Sequence, residues 1–360
     1  MMVDLMPSNS LDYITIQGFK SIASIEKLPL RPINIVIGAN GSGKSNFIGV
    51  FDFLHEIRAG RLRDYVAKAG GADKVLHFGS KATHEISFDL SFAKGPWKAK
   101  LRPTADDLLY EYEEEASRGE RPPEPDFVAK TDDEVARKWL PDRLLRWRIY
   151  HFNDTSSSSP LRRTARVDDN RLLRPDGANL PAFLYLLREK HLADYSLIVR
   201  TVQLAAPFFD DFRLDPLLLN PDTIKLEWRH KESDQYFDAS SLSDGTLRFI
   251  ALATLFLQPE QSRPSLILVD EPELGLHPYA LGLLASLIRQ ASVTTQVIVS
   301  TQSSTLLDHF DPEDVLVADR VDGGTKLARL EPERLKKWLE DYSLGQLWEK
   351  NELGGAPTPG

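Results

Sequence analysis

The chain has 360 residues, 42% hydrophobic and 27% charged, with no cysteine and a net charge of −9. That length and balance suffice for one large or two small cored domains and exclude a mainly disordered or fibrous chain. The lack of thiols excludes disulfides, thiolate catalysis and cysteine-held zinc or iron–sulfur centres, and the acidic balance leaves a phosphate backbone to be met only by a local basic patch.

Met1 to Ser10 has neither a basic region nor an apolar run of signal-peptide length. No run of about 20 apolar residues predicts a membrane-spanning helix, so a soluble, cytoplasmic protein with no membrane partner is expected. Leu11, Tyr13, Ile14 and Ile16 predict a strand that runs into Gly18-Phe19-Lys20-Ser21. Ile33 to Ile37 is β-branched, continuous and bounded by glycine, the pattern of a parallel strand buried on both faces. A helix should follow from Lys44 to about Ala59, with Phe47, Ile48, Phe51 and Leu54 on one face. His84 to Ala93 and Trp97 to Leu101 alternate like strands of a half-solvated sheet.

From Ala105 to Glu134 acidic residues dominate and prolines interrupt, which predicts a mobile insertion or a charged helical tip. From Arg143 to Arg174 the sign reverses, with Arg146, Arg148, Arg162, Arg163, Arg166 and Arg171 between. Pro181 to Phe209 is apolar with helical period, and Thr223 to Trp228 predicts a strand. Helices are predicted over Leu247 to Leu257 and Ala280 to Gln290, and strands over Ser265 to Val269 and Gln296 to Ser300. Leu330 to Glu352 is amphipathic, with Leu335, Trp338, Leu344, Leu347 and Trp348 on its apolar side, and Gly354 to Gly360 should be loose. No repeat and no sustained heptad run occurs, which excludes a long coiled coil.

Three motifs carry chemistry. Gly38-Ala39-Asn40-Gly41-Ser42-Gly43-Lys44-Ser45 fits G-x-x-x-x-G-K-[ST], after a strand and opening a helix. Its glycines let backbone wrap phosphate oxygens, and the helix N-terminus aims N–H groups at the anion. Lys44 should reach the β- and γ-phosphates and Ser45 should coordinate magnesium. Second, the apolar run Leu266 to Val269 delivers Asp270 and Glu271 at a strand end, where ligands of open parallel sheets bind. Asp270 would hold the magnesium shell and Glu271 would polarise the attacking water. Third, Ser241-Leu242-Ser243-Asp244-Gly245-Thr246 stands a short helix before the carboxylates, as either a plain helix cap or a second anion site.

The order of phosphate loop, LSDGT, LVDEPE and STQS resembles the ATP-binding-cassette class, and within it the RecF/SMC-type ATPases often labelled AAA-family ATPases of defence islands. Ile16 to Ser21, Tyr150 to Arg163 and the tail from Asp311 to Gly355 are similar to the same family. The resemblance implies a P-loop NTPase of α/β class: an ABC-type ATPase head with a mixed, mostly parallel sheet, an N-terminal antiparallel β subdomain and a helical signature subdomain. It implies one head over 1–360, with a discontinuous core at about 11–60 and 264–330. A lid or helical insertion at about 102–245 and a C-terminal amphipathic segment at 331–353 complete it.

ATP and magnesium (Mg2+) are the implied cofactors, held by Asn40, Gly41, Ser42, Gly43, Lys44, Ser45 and Asn46. Two heads would sandwich ATP as a homodimer, with Ser243 and the Gly245 N–H of one meeting the γ-phosphate held by the other. Asp244 stands where the usual signature has a second glycine, an added negative charge that calls for compensation. Gln302 stands where the family commonly has a histidine; it hydrogen-bonds but carries no imidazolium proton, which implies slow or partner-gated turnover. The usual Q-loop glutamine is missing, with His77 or another polar group in its place. His277 is either a contact between heads or a helix cap, and Lys20 and Ser21 either touch phosphate or form a solvated turn. The arginine-rich span reads either as a nucleic-acid surface or as a solvated face paired with the acidic insertion, and His151 and Asp154 as structural.

The leading expectation is a magnesium-dependent ATPase that gates a TOPRIM or other nuclease-like partner in defence against phage or plasmids. One alternative is a RecF-like DNA-maintenance ATPase that binds DNA directly. Another is an ATP-controlled assembly scaffold with negligible turnover.

Overall fold

The computed structural model describes residues 10–92, 95–112 and 144–355. Most of the expected acidic insertion, together with Arg143, lies outside the described residues. In chain order, β1 (Leu11–Phe19) and β2 (Ile22–Pro29) form a hairpin, and β3 (Ile33–Ile37) feeds α1 (Lys44–Arg58) and α2 (Leu62–Ala69). β4 (Ile86–Phe92), β5 (Gly95–Pro103) and β6 (Leu109–Tyr112) follow, then β7 (Trp147–Tyr150), β8 (Ala165–Arg166), α3 (Leu180–Lys190) and α4 (Leu192–Ala205). Next come β9 (Phe209–Arg213), β10 (Thr223–Ile224), β11 (Glu227–His230), β12 (Tyr236–Asp238) and α5 (Asp244–Leu257). The last part holds β13 (Leu266–Asp270), α6 (Pro278–Ser292), β14 (Gln296–Ser300), α7 (Ser304–Leu307), β15 (Val315–Val321), β16 (Gly324–Arg329), α8 (Pro332–Leu335) and α9 (Leu344–Glu349).

Six strands form the central sheet in the order β16-β15-β3-β14-β13-β7. Five run parallel and only β16 runs against its neighbour β15. Both faces are covered, which is why its central strands read as unbroken apolar runs. Ile33, Ile35, Ile267, Val269, Val297 and Val299 face a core shared with α3, α4, α5 and α6. Val36, Leu266, Leu268 and Ile298 face the other core, with Phe47, Phe51 and Leu54 of α1 and the antiparallel sheet β2-β1-β4-β5-β6. Each such side chain, fully buried, contributes about 1.5–3 kcal/mol relative to exposure.

Several sequence expectations need correction. The apolar stretch from Pro181 is two helices, because the backbone leaves helical geometry at His191 (φ −137°, ψ 54°), and it ends in a strand at Phe209. Thr223 to Trp228 is split between two sheets: Thr223–Ile224 pairs with β8, whereas Trp228 pairs with Phe212 and Phe237. Trp147–Tyr150 falls in the expected helical insertion, yet it is the edge strand of the central sheet, parallel to β13. Leu109–Tyr112, at the start of the expected acidic insertion, pairs with β5. The amphipathic segment holds two short α-helices, α8 and α9. α9 begins with a capping box, Ser343 and Gln346, and its Gly345 N–H donates to Asp308 Oδ1 at 2.6 Å.

Candidate functional site

The carboxyl ends of β3, β14 and β13 lie side by side, with Ser300 opposite both Val36 and Asp270. Three loops therefore meet: Gly38 to Ser45, Asp270 to Glu273, and Ser300 to Gln302. Gly43 closes the first loop in a left-handed conformation (φ 106°), and a Cβ there would lie 1.9 Å from Thr325 Oγ1. Only glycine satisfies both constraints.

Thr325, on β16, is buried and anchors the loop by a chain of hydroxyls. Asn46 Nδ2 donates to Ser21 Oγ at 2.6 Å, Ser21 Oγ and Thr325 Oγ1 are 2.7 Å apart, and Thr325 Oγ1 donates to the Ser42 carbonyl at 2.9 Å. Since Thr325 spends its one proton on Ser42, the Ser21 hydroxyl donates to Thr325. Lys44 Nζ donates to the carbonyls of Gly38 at 2.6 Å and Ala39 at 3.1 Å. Burial pulls the Lys44 pKa down, while Glu271, Asp270 and Glu273 oppose that shift through their negative charge. Ser42 Oγ is buried with no hydrogen-bond partner. An orphaned hydroxyl beside an array of loop N–H groups and a lysine fits an anionic ligand such as a polyphosphate.

Across the sheet, Asp270 accepts a short hydrogen bond from Ser300 Oγ, and Glu271 accepts one from Gln302 Nε2. Glu271 has φ 46°, a strained value for a non-glycine residue, and its N–H donates to the Ser300 carbonyl at 2.9 Å. Glu273, quoted in the motif but given no role from sequence, ties the two loops. Its Oε1 accepts Thr301 Oγ1 at 2.6 Å and the Gln302 N–H at 2.8 Å, and burial pushes its pKa up.

Ser243 is the N-cap of α5: its Oγ accepts the Thr246 N–H at 3.1 Å. A Cβ on Gly245 would lie 2.1 Å from the Gly275 carbonyl, so only glycine admits the loop after Glu273 at that distance. The charge of Asp244 is met by Arg162, whose Nη2 lies 2.7 Å from Asp244 Oδ1 while its side chain is only 9% exposed. The same guanidinium donates to the carbonyls of Thr155, Ala239 and Leu242. Arg248, also buried, donates to the carbonyls of Phe152 and Asn153 at 2.9 and 3.0 Å. His277 caps α6, accepting the Tyr279 N–H at 3.2 Å. The cap of the two sequence readings is thus present within one chain.

Lys20 and Ser21 are not a plain solvated turn. Ser21 belongs to the hydroxyl chain, and Lys20 Nζ donates to Tyr65 Oη at 3.1 Å beside the Phe19 and Tyr65 rings. Lys20 and Asn46 line a cavity of about 550 Å³ with Asp73, Lys74, Leu76 and Phe78. His77 lies behind this turn, its Nδ1 2.7 Å from the Lys20 carbonyl. Within the arginine-rich span, Arg163 donates to the Ser158 carbonyl, Arg166 pairs with Asp168, and Arg174 with Asp169. Asp154 turns its carboxylate onto Ser156, and no metal-ligand cluster occurs among the described residues.

A glycine loop between a central strand and its helix, with two carboxylates ending a strand two places away, defines a P-loop ATPase head. The model of the family described as "AAA domain, putative AbiEii toxin, Type IV TA system" matches residues 33–308, and the chain belongs to that family. By fold it is similar to SMC-type ATPase heads. No curated protein matches it. Among solved structures, it is similar to the Smc head bound to the C-winged helix domain of ScpA, with TM-score 0.60 and 18% identity over 91% of this chain and 99% of that one. It is also similar to the Smc head with an extended coiled coil bound to the C-terminal domain of ScpA from Pyrococcus furiosus, with TM-score 0.59 and 17% identity over 92% and 99%. An Smc head with a coiled coil and joint from Pyrococcus yayanosii aligns at TM-score 0.55 and 13% identity over 92% and 99%. These likenesses establish the fold: an Smc-type head with a mixed, mostly parallel sheet and an antiparallel one.

Proposed function

We propose that the chain is a single ATPase head that binds ATP with magnesium and hydrolyses it between two copies. The observation that carries this reading is the meeting of three loops at adjacent strand ends: Lys44 and an orphaned Ser42 hydroxyl on one, Asp270 and Glu271 on the next, Gln302 between. Asn40 to Asn46 cradle the phosphates, and Lys44, steadied by its loop carbonyls, reaches the β- and γ-phosphates and meets the charge that builds there. Ser45 and Asp270 would hold magnesium, which supplies positive charge against the developing negative charge. Glu271 takes the proton of the attacking water, and the Gln302 amide orients Glu271 and that water. The cavity beside Lys20 and Asn46 accepts the nucleoside, with exposed Phe78 available to its base.

Ser243 and the Gly245 N–H complete the partner's site from an exposed helix N-terminus held by Arg162, and exposed His277 contacts the other copy. The ATP state then gates a partner, in our reading a nuclease-like protein in defence; the toxin description of the family supports this direction. Direct DNA binding is the weaker alternative, because Arg162, Arg163 and Arg166 are engaged within the chain. Gln302 holds Glu271 but carries no imidazolium proton, which favours a second reading, an ATP-set assembly with negligible turnover. Phosphate release with Mg-ATP separates them. Turnover that falls more than about 100-fold in Lys44→Ala supports the enzyme. Wild-type protein that binds ATP without turnover, alone or with partner, supports the scaffold, and wild-type protein that binds no nucleotide overturns both.

A further inference from the structure

The C-terminal residues expected to be loose begin with an ordered turn against the glycine loop. Leu353 is buried in the core that also holds Leu347 of α9. Gly354 and Gly355 then take left-handed conformations (φ 80° and 81°). The Gly355 N–H donates to Asp319 Oδ1 at 2.6 Å, and the Gly355 carbonyl accepts the Ala39 N–H at 2.5 Å. That N–H belongs to the same peptide unit as the Gly38 carbonyl, on which Lys44 Nζ rests at 2.6 Å. One peptide of the loop is thus clamped from both ends, by the tail on its N–H and by the ammonium on its C=O.

We propose that the Gly354-Gly355 turn and Asp319 are positioning elements of the nucleotide site, setting the orientation of the Gly38–Ala39 peptide and through it the place of the Lys44 ammonium. This rests on the reading of the loop as an ATP site. An amide that donates and accepts at once is polarised, so the bond from Ala39 to Gly355 strengthens the bond from Lys44 to Gly38. Without the tail, the Ala39 N–H faces water and the peptide is free to rotate, taking the lysine's resting carbonyl with it. Space enforces the identity of the turn. A Cβ on Gly355 would lie 3.2 Å from both Gly38 Cα and Val317 Cγ1, and one on Gly354 would lie 2.9 Å from Asp319 Oδ2. Side chains are therefore disfavoured twice, by φ and by contact.

The test compares full-length wild-type protein with Asp319→Ala, Asp319→Asn, Gly355→Ala and a chain ending at Leu353. Each is measured for affinity to a fluorescent non-hydrolysable ATP analogue, for KM and kcat, for melting temperature, and for hydrogen exchange at the Ala39 amide. Asp319→Ala, Gly355→Ala and the truncation should bind about tenfold more weakly, the loss of one hydrogen bond's worth of order, with KM rising more than kcat falls. The Ala39 amide should exchange faster in all three. Asp319→Asn keeps an acceptor oxygen and should stay close to wild type. Unchanged affinity in a chain ending at Leu353 that melts like wild type overturns the proposal, as does an Ala39 amide that exchanges equally fast with and without the tail. Wild-type protein that binds no analogue instead overturns the reading of the loop itself.

Discussion

The glycine loop and the Ser243 turn both open helices, yet the chain treats them in opposite ways. The loop before α1 is backed by its own chain: by the Asn46 amide, by the hydroxyls of Ser21 and Thr325, by Lys44, and by Gly355. The turn before α5 is backed on one side only. Arg162 and the Gly275 carbonyl press against it from behind, while Ser243 and Asp244 stay exposed in front. A site finished by one chain can bind alone. A rigid, exposed half-site gains its use from something that docks on it, and in our reading a second copy carries the phosphate that docks. Three changes probe this contrast.

The sharpest is Ser243→Arg, which places bulk and charge on the exposed half while leaving the enclosed half untouched. Hydrolysis should fall by more than about tenfold, whereas the ATP affinity of the monomer should hold. Equal losses in affinity and turnover would erase the distinction between the two halves. Next is Arg162→Ala. It removes the guanidinium from the Ala239, Leu242 and Thr155 carbonyls and leaves Asp244 without its countercharge. A loss of about 1–3 kcal/mol in unfolding free energy is expected, together with reduced turnover, because the signature turn loses its backing. Arg162→Lys should not restore it, since one ammonium does not reach four acceptors.

The smallest effect belongs to Glu273, which ties the carboxylate loop to the Gln302 loop. Burial raises its pKa above the 4.5 of a free glutamate. Between the free and the folded values the folded state holds a proton that the unfolded chain has lost, so stability falls as pH rises through that window and levels off above it. Glu273→Gln keeps an acceptor for Thr301 and Gln302 but removes the titration. It should melt roughly 1–3 °C higher near pH 7, with the gap closing as pH approaches the free-glutamate value. A gap that widens on acidification contradicts this account.

The parts of this arrangement legible in the sequence were those set by local rules. The β3-loop-α1 unit and the ends of β13 and β14 follow from glycine spacing and from apolar runs buried on both faces. What escaped was set by distant partners. β7 is four residues among arginines and is a strand because β13 lies beside it. β8 is two residues long and exists only against β10. Thr325 and Gly355 carry no motif, and they belong to the loop only through bonds made after the chain has folded back. The need for a countercharge at Asp244 was readable, but not that Arg162 supplies it, because nothing in a run of arginines marks which one turns inward.

The central claim is that ATP is held by the glycine loop of one copy and covered by the Ser243 turn of another. The most direct measurement is the solution mass of Glu271→Gln, a variant that should bind ATP and stall before hydrolysis. With saturating Mg-ATP the mass should double, and Ser243→Arg in the same background should return it to that of one chain. A Glu271→Gln protein that binds ATP to saturation and still sizes as a single chain would contradict the claim.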